Sequence, residues 1–294
     1  MNLPTVIHFS PENWGAVERF AHFCGKTYTF PPRIQGCVAG TTAHFRRADT
    51  LRRIAESMVP SMKADLEELD QKGFSQSSRS SEVTAVIEAT ITSLYASIDA
   101  GRKIVTHIFG SQGFQGFPES TRKTFNTAAA GKLDPRTPEP IRAAFCDAKW
   151  YHGLRELRDA LAHIGPGNCH LNRETGLVMY FHDAIRDEAK LRYISDIFAE
   201  LTKYFDSVNR FLGQVFGALL ATLKDEEVWQ MCGIFSGRLY HRFVRPSEAK
   251  DFNSGRCDAH SWFDLPDNPR CPFADICSAY SRRNPNSENK DAQT

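Results

Sequence analysis

The sequence has no dominant charge. Its 36 Lys and Arg residues oppose 35 Asp and Glu, a formal net charge of +1. No global electrostatic footprint for nucleic acid exists, so any such contact must come from a local patch. A long apolar run is also lacking. Phe211 to Leu223 is apolar but short and amphipathic, too short to read as a membrane span. The opening Met-Asn-Leu-Pro-Thr-Val-Ile-His-Phe has neither the basic segment nor the apolar core of a secretory signal. The expectation is a cytoplasmic protein without membrane contact. In that compartment eight cysteines are thiols or metal ligands rather than disulfides. Internal repeats are missing, as is any C-x2-C pair.

What is present is helical periodicity. The 294 residues, 41% of them apolar, suffice for one large domain or two ordinary ones. Residues 1–43 read as irregular, with prolines at 4, 11, 31 and 32. Within them Glu12 to Phe23 is a short helix capped by Ser10, and Val6 to Phe9 and Lys26 to Phe30 are short strands. Residues 45–72 form a helix through Leu51, Ile54, Met58, Met62, Leu66 and Leu69, stopped by Gly73. The nearby Arg33, Arg46, Arg47, Arg52 and Arg53 read as a solvated surface. A polar linker, 75–81, leads into a long helix with Val83, Ile87, Ile91, Leu94, Ile98, Val105 and Ile108 on its apolar face. A long Gly/Pro/Thr/Ser connection follows, from Gly110 to Pro140.

The helix predicted over Glu139 to His163 carries a stripe of Trp150, Leu154, Leu157, Leu161 and Ile164, and Gly165-Pro166-Gly167 stops it. Residues 169–182 predict a β-hairpin turning at Glu174-Thr175-Gly176. A last helix is expected from about Asp187 to Leu223. The domain reading is therefore 1–74, an irregular segment plus helix; 75–225, a helical domain; 226–283, a Cys-containing module; and 284–294, a disordered tail.

Opposite its stripe, the 139–163 helix carries His152, Arg155, Arg158, Asp159 and His163. Arg158 and His163 differ by about 140° in azimuth and about 7.5 Å in rise, so one straight helix does not aim them at a single point. His163 sits in the last turn, at the negative end of the helix dipole. Asp99 and Ser97 on the preceding helix could line the same cleft.

Arg158-Asp159-Ala-Leu-Ala-His163, just before a helix stop and followed by a hairpin and a long helix, resembles the R-x4-6-H motif of the HEPN superfamily. It resembles in particular the stand-alone bacterial HEPN-domain proteins, over about residues 80–224. A second match, Arg102 to His107, has Lys after the Arg and is taken as accidental. The resemblance implies a mainly α, antiparallel HEPN-like bundle with one β-hairpin and a Cys-containing C-terminal extension. It also implies a homodimer whose apposed motifs build one composite site, and a metal-independent endoribonuclease of a toxin–antitoxin or antiviral defence system. RNA would be its substrate and an antitoxin or regulatory protein its partner. Arg158 would grip phosphate oxygens, His163 would act as general acid or base, and Asp159 would orient Arg158 or the partner's His. Arg155, His152 and Tyr151 would face the RNA. The alternative within the same resemblance is a non-catalytic helical module that binds a protein, nucleotide or RNA.

Cys257-x2-His260-x10-Cys271-x5-Cys277 admits a structural zinc site, with catalysis requiring no cofactor. Cysteines that are merely small buried side chains fit it too. Cys232 in place of His260 would give four thiolates, and then an iron–sulfur cluster is conceivable. Arg238, His241, Arg242, Arg245 and Arg256 would make this piece an RNA-docking module.

Overall fold

The computed structural model describes residues 12–183, 185, 193–235, 237–249 and 253–282. The calls on Val6–Phe9, Ser10, Pro11, 187–192 and the 284–294 tail lie outside them. Among the described residues the fold is mainly helical, with two small antiparallel sheets. No helix among the described residues is long and apolar enough to cross a membrane.

In chain order the helices are α1 (Glu12–Phe23), α2 (Pro32–Met58), α3 (Lys63–Lys72), α4 (Ser78–Ser111), α5 (Thr121–Ala129), α6 (Glu139–Cys146) and α7 (Tyr151–His163). Then come β1 (Asn168–Leu171), β2 (Val178–Phe181), β3 (Tyr193–Ile194) and α8 (Ile197–Leu220). The chain ends with β4 (Val228–Phe235), β5 (Arg238–Val244), β6 (Arg256–Cys257), α9 (His260–Phe263) and α10 (Ser278–Ser281). Two compact units divide it: residues 31–212, and residues 1–30 together with 213–294. This division differs from the boundaries drawn at 74 and 225. Helices α2 and α3 belong with the helical unit, and the N-terminal helix with the C-terminal module.

In the helical unit, α4 is the shared neighbour of α2, α3, α5, α7 and β1. Its burial runs right along it, from Val83 to Phe109, and includes Ser80, Thr84, Thr90, Ser93 and Ser97. Buried hydroxyls need partners, and several find them in their own helix. Thr90 Oγ1 donates to Val86 O and Ser97 Oγ to Leu94 O. The N-terminus of α4 is capped from a distance. Asp65 of α3 accepts from Ser80 N and Ser80 Oγ, each at 2.7 Å, placing a carboxylate where the first N–H groups lack helical partners.

Several elements differ from the sequence expectation. Residues 32–43 are helical, because Pro32 starts α2 at a position where its missing N–H costs nothing. The 45–72 helix breaks at a 3-10 turn over Val59–Met62, where Pro60 can neither donate nor clear the preceding turn. The 110–140 connection contains α5, N-capped by Ser120 and burying Thr124, Phe125 and Ala128. Residues 27–30 form no strand. Lys26 closes a 3-10 turn, and Tyr28 and Phe30 pack beside Phe20 in an aromatic group that also takes Phe216. Tyr193–Ile194 is a strand on β2 rather than part of the last helix.

The 139–163 helix is two helices. On one straight rod Leu157 would fall about 160° from Ile141, so both could not face a core. The turn at 147–150 lets α6 bury Ile141, Ala144 and Phe145, and α7 bury Tyr151, Leu154, Leu157 and Ala160. The predicted stripe is rotated accordingly. Tyr151 enters the core, Trp150 and Leu161 are half-buried, and Ile164 is 66% exposed.

The hairpin forms as expected, with Leu171 opposite Val178 and Asn172 Oδ1 accepting from Glu174 N and Thr175 N in the turn. It docks on α4 through polar contacts. Glu88 accepts from Gly167 N at 2.6 Å and from Tyr180 OH at 2.9 Å, and Thr84 Oγ1 accepts from Cys169 N at 2.8 Å. Gly167 is fixed by this contact, since a Cβ there would lie 2.5 Å from Phe181 O and the Tyr180 ring. Glu88→Ala should lower unfolding free energy by about 1–3 kcal/mol by orphaning these donors, and Gly167→Ala by about 2 kcal/mol. Glu82→Ala, which removes only an exposed pair with Arg79, should change it by less than about 0.5 kcal/mol. Urea denaturation of the three variants checks the order.

Candidate functional site

Helix α7 is amphipathic because its buried positions recur every third residue, covering about half its circumference and leaving a polar remainder. On that remainder Asp159 is shared by two arginines. Arg158 Nη1 lies 2.9 Å from Asp159 Oδ1, and Arg155 Nη1 lies 3.2 Å from Asp159 Oδ2. The Arg158 guanidinium also sits over the Tyr95 ring, 4.9 Å from its centroid, a cation–π contact from α4. Both Arg158 and Asp159 are about one-third exposed. His163 is exposed in the last turn and makes no hydrogen bond or ion pair among the described residues. Arg158 and His163 do not bond one another, as their azimuths require.

The remaining predicted groups separate. His152 is exposed. Arg155 is mostly buried, and its Nε has no hydrogen-bond partner. Tyr151 does not face solvent at all. It is fully buried, stacked on Phe125 at 3.8 Å and 6°, with its hydroxyl 3.1 Å from that of Tyr95. Burial, reinforced by the Tyr95 hydrogen bond, pushes its pKa well above the usual phenol range. It is a core residue that sets the height of α7 against α4 and α5. A cavity of about 420 Å³ on another side of α7, lined by Gly153, Leu157, Ala160 and Tyr204, includes none of Arg158, Asp159 or His163.

The second Arg-x4-His pair lies at a different place. Arg102, Lys103, Thr106 and His107 line a cavity of about 340 Å³ with Arg33, Ile34 and Glu119. Arg102 is 2% exposed, bound through Nε to Thr121 Oγ1 and through Nη2 to Asp99 Oδ1. Lys103 Nζ reaches Asp99 Oδ2 at 2.5 Å. Burial alone would raise the Asp99 carboxyl, but hydrogen bonds from Lys103, Thr121 and Arg102 outweigh it and hold its pKa at about 2. Asp99 thus organises this cavity, not a cleft beside α7, and Ser97 is wholly buried. The Thr106 hydroxyl is buried without a hydrogen-bond partner. Arg33 is exposed and has no ion pair among the described residues. Sequence reading set this pair aside because Lys103 follows the Arg. The usable signal was the Asp three residues before Arg102, one helical turn back.

In the C-terminal unit the basic residues named for RNA docking make contacts within the fold. Arg256 is bidentate to Glu227, His241 meets Asp258, Arg238 covers Trp262, and Arg242 is 1% exposed. His260 is buried with Nδ1 3.1 Å from Cys257 O. Burial pushes the Cys257 thiol up to about 12, with Cys232, Cys271 and Cys277 close enough to add to the shift. As the side chains stand, no three His, Cys, Asp or Glu groups among the described residues are placed to hold a single ion.

No protein-family model, no curated protein and no solved structure matches the chain.

The depressed Asp99 pKa carries a sign. A carboxylate whose folded pKa lies below its unfolded value stabilises the fold above the unfolded pKa, about 4, and loses that contribution as pH falls through the folded one. Asp99→Asn should therefore be less stable than wild type at neutral pH, and the gap should close as pH falls toward about 2. Thermal unfolding across that range measures it; a pH-independent gap contradicts the assignment.

Proposed function

We propose that the chain is a metal-independent endoribonuclease that works as a homodimer, with Arg158, Asp159 and His163 of two copies forming one composite site. The observation that carries this reading is the state of the α7 polar face. Asp159 and Tyr95 hold the Arg158 guanidinium at the surface, and His163 stands exposed about one turn further on with no hydrogen bond or ion pair among the described residues. A fixed planar cation suits two phosphate oxygens, and an imidazole open to solvent suits proton transfer. One chain directs the two groups apart, so a second copy is needed to bring an Arg and a His to the same phosphate. Ile164, 66% exposed beside His163, supplies apolar surface for such an interface.

In this reading one His163 takes the 2′-hydroxyl proton while its counterpart protonates the leaving 5′-oxygen. Arg158 neutralises the pentacoordinate phosphorus between them. The products are a 2′,3′-cyclic phosphate and a 5′-hydroxyl, and the biological setting is a defence or toxin–antitoxin system in which a regulatory protein restrains the site. With RNA and a chelator present, Arg158→Ala and His163→Ala should each cut the cleavage rate at least about 100-fold while the sedimentation behaviour stays that of wild type. Equal rates in all three proteins would rule the site out.

A second reading, a non-catalytic module that binds a nucleotide, is favoured by the Arg102 cavity. Arg33, Arg102 and Lys103 outnumber the single Glu119 among its charged lining groups, and the Thr106 hydroxyl is left over beside them. Arg33→Glu should weaken nucleotide binding, measured by calorimetry, at least about tenfold without affecting RNA cleavage. Unchanged affinity speaks against this reading.

A further inference from the structure

We propose that Cys232, Cys257, Cys271 and Cys277 ligate one thiophilic metal centre, a zinc ion or an iron–sulfur cluster, with Arg242 as the cation that offsets its thiolates. Strand geometry gathers the set. Along β5 the buried face carries Tyr240, Arg242 and Val244. Arg242 is in register with Gln230 of β4 and Cys257 of β6, and residues directly opposed in antiparallel strands share a face. Cys232 is the extra residue where the β4–β5 register shifts between Met231 and Gly233. A bulge of this kind re-aims a side chain, and here the Cys232 sulfur stands 3.1 Å from Arg242 Nε and 2.9 Å from Nη2. The same Nη2 lies 3.5 Å from Cys277 Sγ, just ahead of α10. Cys271 packs on the cluster of Phe273, Cys277 and Ala279. Three stretches of chain thus converge here: two sulfurs, Cys232 and Cys277, meet one guanidinium, with Cys257 opposite it in register and Cys271 packed beside Cys277.

The chemistry of that guanidinium points the same way. A buried Arg that aims two N–H groups at sulfur is best satisfied when the sulfurs are anionic, and metal-bound cysteine is a thiolate. Binding releases the thiol protons to water. Four thiolates on a divalent zinc leave a charge of about −2, which the Arg242 cation partly cancels. All eight cysteines are free, so none of the four is held in a disulfide. Nη2 now stands between Cys232 and Cys277, so metal binding requires it to leave that place while Nη1 keeps its 3.1 Å bond to Ser254 O. Cys232, rather than His260, is then the fourth ligand.

The test uses the full chain, purified without chelator under anaerobic conditions and analysed for zinc, iron and acid-labile sulfide. About one zinc per chain, or iron with matching sulfide and visible charge-transfer absorption, supports the site and tells the two centres apart. Cys232→Ser should abolish metal retention and His260→Ala should keep it; the reverse pattern overturns the ligand set. Because Cys232→Ser can unfold the unit, a second measurement uses wild type alone. Metal removal should raise the number of thiols open to a thiol reagent by the four proposed ligands. No metal in the purified chain, and none after reconstitution with zinc or with iron and sulfide under reductant, overturns the proposal.

Discussion

The helical unit depends on keeping α4 buried along its whole length without stranding its polar groups. A helix with neighbours on most sides cannot rely on a single apolar stripe, and between the aliphatic positions of α4 the buried residues, Arg102 and Phe109 apart, are small or hydroxylated. Small residues such as Ala100 let α2 lie alongside: a Cβ built at Gly40 would make an ordinary contact with Ala100 at 4.0 Å. Hydroxyls such as Thr84 serve twice, donating to Ser80 O and accepting from Cys169 N. Glu88 completes the arrangement, because its carboxylate takes both the Gly167 N–H and the Tyr180 hydroxyl. The chain leaving α7 is thereby tied to α4 within four residues of His163. The end of α7 that carries the exposed histidine is thus tied down by a polar contact at the last glycine of the Gly-Pro-Gly stop.

How much of this could be read from residues alone varied with how many neighbours each element has. Helix α8 buries one face, so Ile197, Leu201, Phe205, Val208, Leu212 and Val215 advertise it. The hairpin was equally plain, since Asn172 to Gly176 carries its own turn chemistry. The start of α2 was hidden by Gly36 and Gly40, which read as irregular chain; both lie inside the helix that Pro32 opens. Helix α5 was hidden by its short length, although Ser120 and the spacing of Thr124, Phe125 and Ala128 were there to be read. The α6–α7 break was missed because a wheel drawn over 139–163 assumes one axis. That assumption turned Tyr151 outward, whereas two axes put it against Phe125.

The candidate sites follow the same rule. Arg158, Asp159 and His163 were legible because they are local, within six residues on one helix. That Asp159 would serve Arg155 as well follows from the i to i+4 spacing. Tyr95 beneath Arg158 was not legible, because nothing in sequence connects residues 95 and 158. The sulfur set in the C-terminal unit needed a bulge at Cys232, a feature of strand register that composition does not encode.

Two Arg-x4-His pairs on two helices show what the spacing alone does not determine. Both arginines have an aspartate neighbour, Asp99 for Arg102 and Asp159 for Arg158. Arg102 is enclosed, and its guanidinium is divided between Asp99 and Thr121. It is shut off from bulk solvent, so it shapes a cavity and lends it charge. Arg158 is one-third exposed and anchored on one edge by Asp159, with Tyr95 beneath its plane. A guanidinium held in this way keeps donors available to an incoming phosphate while losing little rotamer freedom when it binds. The exposed pair is therefore suited to a large polyanion that approaches from solvent, and the enclosed pair to a small anion that enters a cavity. Burial, not the motif, separates the two roles.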